Sequence, residues 1–95
     1  MDYKKGYSII RCDRSGVFFG KVASLKGRTA KILKARQIYH WTEANTCLQI
    51  AKDGIGADSQ VTVEVEELTL SDAIEVIPCT EKAEKIIEAL PEWKA

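Results

Sequence analysis

Short turn signals between β-rich runs constrain the fold of this chain more than any other feature. The runs are YSIIRCD at residues 7–13, VFFGKVASL at 17–25 and a third over 29–33, and they are separated by RSG and KG. Connections of two or three residues are too short for a crossover, so consecutive strands must be antiparallel. The first third of the chain therefore predicts a meander of three short strands, in which Gly20 marks a bulge or a close approach of two backbones.

The middle of the chain predicts a further strand, a short helix and a loop. Alternation in the run RQIYHW at residues 36–41 favours a strand over a helix. Thr42 or Asn45 can cap a helix in which small and apolar residues have helical spacing, and Gly54 supplies the expected stop. We expect a connecting loop over residues 55–60.

The last third predicts two or three more strands. Val61, Val63 and Val65 alternate with polar residues, which is typical of a strand with one apolar face. A final strand follows in the run AIEVI at residues 73–77, and Pro78 ends it.

A second helix completes the predicted elements. Thr80 can cap it, its apolar residues recur at i, i+3, i+4 and i+7, and Pro91 ends it. The order of elements indicates an α+β domain over residues 1–95, with a small curved or barrel-like antiparallel sheet of five to six short strands, a short central helix and a C-terminal helix. We expect residues 1–6 to be a loose N-terminus and residues 91–95 a C-terminal tail, packed back through Trp93.

The charges of the chain cancel overall but are unevenly distributed. Residues 1–50 carry ten basic and three acidic residues, a net charge of +7, and residues 51–95 carry four basic and eleven acidic residues, a net charge of −7. Zero net charge argues against a protein that coats DNA, which needs a surplus of Lys and Arg. The asymmetry indicates an anion site in the first half, an electropositive face that meets an electronegative one in the same or a neighbouring subunit, or neutralisation within the chain.

The residues available for catalysis are few. Cys12, Cys47 and Cys79 are widely spaced and form no CxxC pair, so we interpret them as buried small hydrophobic residues in a reducing cytoplasm. His40 is the only imidazole, and the glutamates have the regular spacing of solvated faces. No phosphate-binding glycine motif is present, and the apolar runs are too short to span a membrane. We therefore expect a cytoplasmic protein that is not an enzyme and uses no metal or cofactor.

Binding is the function class that the sequence favours. Arg36, Tyr39, His40 and Trp41 place a guanidinium, a phenol, an imidazole and an indole within six residues. Aromatic faces stack on bases and a guanidinium forks to a phosphate or a purine edge, so this segment suits a planar ligand that carries phosphate. The alternative is that Trp41 and Tyr39 belong half to the core, with Arg36 stacked over one of them. Nearby hydroxyl and amide groups come from Ser15, Thr42, Asn45 and Thr46.

The string RCDRSGVFFGKVASLKGRTAKILKARQIYHW, with EANTCLQIAKDGI and LSDAIEVIPCTEKA after it, resembles a widespread family of small bacteriophage and prophage proteins known as a domain of unknown function. The resemblance covers residues 9–88. Its most specific parts are SGV with Gly20, AR with Ile38 and Trp41, and AIEVIP at residues 73–78. Glu43 and Ala44 stand where many members are expected to carry Gly-Ala, which puts a tight glycine at this point in doubt.

Small phage proteins of this kind are similar to anti-defence sponge proteins, which sequester the cyclic nucleotide signals of CBASS or Thoeris immunity. The resemblance implies stoichiometric binding of a signal such as cyclic GMP-AMP, in a pocket at or near the interface of a homo-oligomer. The alternatives are a phage accessory protein that binds nucleic acid and a protein–protein inhibitor of a host enzyme. The predicted ligand-binding residues are Arg14, Ser15, Phe18, Lys21, Arg36, Tyr39, Trp41, Thr42, Asn45 and Thr46.

Overall fold

A computed structural model describes residues 6–93, and its first half is the predicted meander. Strand β1 (Ser8–Cys12) pairs with β2 (Val17–Lys26), which pairs with β3 (Thr29–His40), and both pairings are antiparallel. The RSG and KG turns therefore connect neighbouring strands, as predicted. Most of the predicted loose N-terminus, residues 1–5, and residues 94 and 95 of the predicted tail lie outside the described residues.

Strand β3 is continuous where the sequence predicted two separate segments. The break in the apolar pattern falls at Lys34, whose φ of 52° places it in the left-handed region without ending the strand. Gly20 lies opposite this irregularity, and the register of β2 on β3 shifts between Phe19 and Lys21. A Cβ atom at Gly20 would collide with the Ile32 side chain, so the predicted bulge and close approach are both confirmed.

The second half begins with a helix, α1 (Cys47–Asp53), that is capped by Thr46 and not by Thr42 or Asn45, the two predicted caps. The side chain of Thr46 accepts a hydrogen bond from the Gln49 N–H, and Gly54 ends the helix with a φ of 83°. The other elements are β4 (Gln60–Val61), β5 (Val65–Leu70), β6 (Ala73–Pro78) and α2 (Glu81–Ala89). Thr80 caps α2 as predicted, since its hydroxyl accepts from the Ala83 N–H at 3.1 Å.

The prediction of one strand with an apolar face through the alternating valines is wrong. Val61 is fully buried in β4, but Val63 is 51% exposed and lies between β4 and β5. The reason is that β4 pairs with the end of β3 at Ile38, whereas β5 pairs with its earlier part from Ala35 back to Ala30. The chain must change register between the two strands, and this interrupts the alternation.

Among residues 6–93 the sheet has six strands in the order β4-β3-β2-β1-β6, with β5 also paired to β3. All of these pairings are antiparallel and the sheet is open rather than closed into a barrel, which confirms the predicted α+β class. The larger core lies between one face and the two helices, around Ile9, Phe19 and Ile50. A smaller core lies on the other face, around Ile10, Phe18 and Ile32, which have the opposite side-chain orientation. Neither helix within residues 6–93 has the length and apolar character that a membrane crossing needs.

Two turns at one end of the sheet are joined by a single carboxylate. Asp72, between β5 and β6, accepts hydrogen bonds from the N–H groups of Arg14 and Ser15 at 2.7 and 2.9 Å and from the Ser15 hydroxyl at 2.7 Å. The hydroxyl bond is the largest cause that lowers the pKa of Asp72 to about 2, and the Arg14 N–H is the next. Because all three donors favour the charged carboxylate, the clamp requires Asp72 to be ionised.

The Asp72 clamp predicts an acid-dependent loss of stability. Since the pKa of Asp72 is lowered in the folded protein, its contribution is present above the ordinary carboxyl pKa of 3.8 and is lost as the pH falls towards about 2. We expect Asp72→Asn to lower the melting temperature at pH 7 and to match the unmodified protein more closely at pH 2. Thermal denaturation followed by circular dichroism at several pH values measures this difference. Asp58→Asn removes an exposed carboxylate from a loop and is the matched control; an equal pH profile for both variants would contradict the clamp.

Candidate functional site

One groove runs along the helical face of the sheet, between α1 and the adjacent strands β1 and β6. It has a volume of about 340 Å³. The groove combines a guanidinium, a carboxylate, a hydroxyl and an indole with two further apolar groups. The residues that line it are Arg11, Trp41, Thr46, Cys47, Leu48 and Glu75.

An ion pair between adjacent strands forms one side of this groove. Arg11 on β1 lies directly opposite Glu75 on β6, and its Nε donates to Glu75 Oε1 at 2.6 Å. This hydrogen bond is the first cause that raises the pKa of Arg11. The side chains are 44% and 42% exposed, so both charged groups remain accessible from the groove.

The other side of the groove is apolar. Trp41 follows the last residue of β3 directly and packs half-buried against the larger core. Leu48, in the first turn of α1, is 64% exposed. Cys47 is buried beside it, and burial is the main cause that raises the pKa of its thiol. The groove therefore offers an indole for stacking and a thiol that burial holds in its neutral form.

Two of the predicted ligand-binding residues, Trp41 and Thr46, line the groove. Arg36 does not, because its guanidinium lies beneath the C-terminus of α2. Its Nε donates to the Thr62 carbonyl at 2.9 Å, and its Nη1 donates to the carbonyls of Ile87 and Leu90 at 3.1 and 2.9 Å. Burial lowers the pKa of Arg36. These contacts supply the positive charge that the last turn of α2 lacks in its own sequence.

Three other predicted residues lie in separate places. Phe18 is buried in the smaller core. Tyr39 contacts Trp93 edge to face with ring centres 5.4 Å apart, which confirms that the tail packs back. The Lys21 ammonium lies 5.3 Å from the centre of the Tyr7 ring.

The remaining predicted residues lie in turns and loops. Arg14 and Ser15 belong to the Asp72 clamp. Thr42 and Asn45 lie in the segment that joins Trp41 to α1, where the Thr42 N–H donates to the Ser59 hydroxyl and the Asn45 N–H donates to Gln49 Oε1. The structure therefore does not gather the predicted set into one site.

Four residues of the groove were not predicted as ligand contacts, and two of them carry a sequence signal. Arg11 is the basic residue within the apolar run SIIRC, and Glu75 is the acidic residue within AIEVIP. Opposite charges on adjacent strands form favourable cross-strand pairs. The pair is recognisable once β1 and β6 are known to be neighbours, but Arg11 and Glu75 are 64 residues apart in the sequence. The sequence predicts Cys47 as a buried residue and places Leu48 beside it in the short helix, and neither position signals a ligand contact.

Within residues 6–93, no three His, Cys, Asp or Glu side chains are placed to hold a metal ion. No curated protein and no solved structure matches the chain. A family model described as a domain of unknown function, DUF6948, matches residues 5–87. That match includes every strand and nearly all of α2, as well as every residue that lines the groove. The chain therefore belongs to the DUF6948 family.

Proposed function

We propose that this protein binds a cyclic dinucleotide in the groove and holds it without cleaving it. The observation that carries the proposal is that an indole, Trp41, and a guanidinium, Arg11, line the same groove. An indole stacks on a nucleobase, and a guanidinium donates to phosphate or to a base edge. In this proposal Arg11 takes the place that the sequence predicted for Arg36 as the guanidinium that contacts the ligand, since Arg36 already donates to three carbonyls.

The chemistry of the groove supports binding without turnover. A cysteine nucleophile acts as a thiolate, and burial raises the pKa of Cys47 away from that form. His40, the only imidazole of the chain, is exposed at the end of β3 and is not among the residues that line the groove. A protein with such a groove sequesters its ligand stoichiometrically. The role we propose is that of a phage anti-defence sponge, on the resemblance described above.

The size of the groove supports a homo-oligomer. Its volume of about 340 Å³ is at the lower end of the range of ~300–1,000 Å³ for sites that enclose small ligands. One groove therefore suits one nucleotide of the ligand, and the second nucleotide needs a second groove. A cyclic dinucleotide has two nucleotides, and a symmetric dimer presents two such grooves.

Replacement of Trp41 by alanine should weaken binding of cyclic GMP-AMP by about 5- to 150-fold, because stacking on an aromatic side chain contributes about 1–3 kcal/mol per base. Isothermal titration calorimetry measures the loss. Trp93→Ala is the matched control, since Trp93 lies outside the groove and is 45% exposed against Tyr39.

A fluorescence measurement tests the contact with Trp41 without truncating that side chain. The chain has two tryptophans, so Trp93→Phe leaves Trp41 as the only indole. Stacking of a base on Trp41 should then quench the fluorescence of this variant in proportion to the bound ligand. Unchanged fluorescence and a flat calorimetric trace with every cyclic nucleotide would contradict the proposed function.

Nucleic acid is the second candidate ligand, and the exposed basic residues of the β2–β3 hairpin favour it. The β2–β3 hairpin presents five exposed basic side chains, of which Lys31 lies 3.4 Å from Glu67. Binding through this surface would depend steeply on salt and would tolerate many sequences, whereas binding in the groove would be selective and only weakly salt-dependent. The exposed basic residues are Lys21, Lys26, Arg28, Lys31 and Lys34.

A further inference from the structure

We infer that the Arg11–Glu75 pair recognises the edge of a guanine base, so that the groove selects guanine over adenine. This inference rests on the proposed function, because it assigns the base of a nucleotide that the groove is proposed to hold. It is carried by the hydrogen-bonding groups that the pair leaves available and by the way the two strands fix them.

The ion pair uses only part of its hydrogen-bonding capacity. Arg11 Nε donates to Glu75 Oε1, and within residues 6–93 neither the two amino groups of Arg11 nor Glu75 Oε2 takes part in another hydrogen bond. A guanidinium has five N–H donors and a carboxylate has about four acceptor positions. A ligand in the groove therefore meets donors and acceptors side by side.

Guanine has the complementary pattern along its Watson–Crick edge. Its O6 accepts a hydrogen bond, and its N1–H and N2–H are adjacent donors. The carboxylate of Glu75 can accept from the two donors while an amino group of Arg11 donates to O6. Adenine offers one donor group, N6–H₂, beside the acceptor N1, so it cannot supply two adjacent donors to the carboxylate. Charge-assisted bonds of this kind are the stronger ones, which favours guanine.

The strands hold the pair in a fixed place beside the apolar side of the groove. Arg11 and Glu75 are directly opposite each other, and the register shifts immediately afterwards, where Cys12 pairs with Ala73 and Ile74 is left over. Such bulges redirect the neighbouring side chains and are frequent next to binding sites. Trp41 supplies the face on which the base plane stacks, while the pair contacts its edge.

The test uses three cyclic dinucleotides that differ only in their bases: cyclic di-GMP, cyclic di-IMP and cyclic di-AMP. Hypoxanthine keeps N1–H and O6 but lacks the N2 amino group, so it isolates one donor. We expect the unmodified protein to bind cyclic di-GMP at least about tenfold more tightly than cyclic di-AMP, with cyclic di-IMP between them. Calorimetric titration of each ligand measures this order.

Glu75→Gln should abolish the advantage of cyclic di-GMP over cyclic di-IMP, because an amide has one acceptor oxygen and its NH₂ group opposes an N–H donor of guanine. It should weaken, but not remove, the preference over cyclic di-AMP, because Arg11 still donates to O6. Arg11→Met should lower the affinity for cyclic di-GMP and cyclic di-IMP, because methionine has no donor for O6. Glu66→Gln, on β5 away from the groove, makes the same charge change as Glu75→Gln and should keep the full preference. Melting curves of all variants establish that they are folded.

The outcomes separate this inference from the proposed function. Equal binding of the three ligands by the unmodified protein, or a guanine preference that is undiminished in Glu75→Gln, overturns the recognition of guanine and leaves the binding function standing. Failure of all three to bind, together with cyclic GMP-AMP, overturns the proposed function and this inference with it. A preference that is diminished in Glu75→Gln and kept in Glu66→Gln supports both.

Discussion

Replacement of Arg36 by methionine should lower the free energy of unfolding by about 3 kcal/mol, because each hydrogen bond to a charged group contributes about 1.5–3 kcal/mol and the removal of a buried charge offsets part of the loss. Arg36 is 6% exposed and its guanidinium donates to the carbonyls of Thr62, Ile87 and Leu90. Methionine fills a similar volume but removes the guanidinium donors, so that the Ile87 carbonyl keeps only the N–H of Leu90 and the other two oxygens lose their bonds to Arg36. Chemical denaturation in urea measures the change.

A matched control lies on the same strand. Lys31→Met removes one positive charge from β3, but Lys31 is exposed and pairs with Glu67 at 3.4 Å on the surface. Exposed ion pairs contribute about 0–1 kcal/mol, so this variant should be nearly as stable as the unmodified protein. If Arg36→Met kept its stability and lost affinity for a cyclic dinucleotide, Arg36 would be a ligand contact, as the sequence predicted.

The role of Arg36 shows what the sequence could not indicate about the site. Arg36 lies close to Tyr39 and Trp41 along the chain, which favoured a shared ligand. Its acceptors at Ile87 and Leu90 are 51 and 54 residues away and are backbone oxygens, which leave no trace in the sequence. Arg11 and Glu75 were missed for a similar reason, since their pairing depends on the order of the strands.

Local signals predicted the fold more completely than they predicted the site. The turns between β1, β2 and β3, the Thr80 cap and the stop at Gly54 each depend on a few neighbouring residues, and the structure contains them all. Trp41 and Thr46 were predicted as ligand contacts from the chemistry of their side chains, and both line the groove. The valine alternation failed because pairing to two parts of β3 is a property of the whole sheet.

The uneven charge of the two halves is partly neutralised within the chain. Two of the three ion pairs found among residues 6–93, Arg11–Glu75 and Lys31–Glu67, join a basic residue of the first half to an acidic residue of the second. Both pairs lie between neighbouring strands. The sheet topology places strands of the basic first half beside strands of the acidic second half, and part of the opposite charge is therefore neutralised between them. One of these pairs also lines the groove, so the residues that neutralise charge between β1 and β6 are also ones that we propose as ligand contacts.

Replacement of Phe19 by alanine should be the most damaging single truncation in the core, with a loss of about 3–5 kcal/mol in the free energy of unfolding. Phe19 is fully buried where β2 passes under the helices, and its ring stacks on Tyr7 with centres 4.4 Å and planes 5° apart. Alanine removes this contact and leaves a cavity between the sheet and both helices. Phe19→Leu keeps most of the side-chain volume and is the matched control.

Because the protein is small, the destabilisation caused by Phe19→Ala should also increase the effect of a bound ligand on folding. A small domain has a free energy of unfolding of about 5–15 kcal/mol, so Phe19→Ala should leave a fraction of the molecules unfolded at 37 °C. A ligand that binds only the folded state then raises the melting temperature of this variant by mass action. Because Phe19 lies outside the groove, cyclic GMP-AMP at saturation should restore the folding of the Phe19→Ala variant. The same ligand should stabilise a doubly substituted Phe19→Ala, Trp41→Ala protein much less. Equal stabilisation of the two proteins would place the ligand away from Trp41.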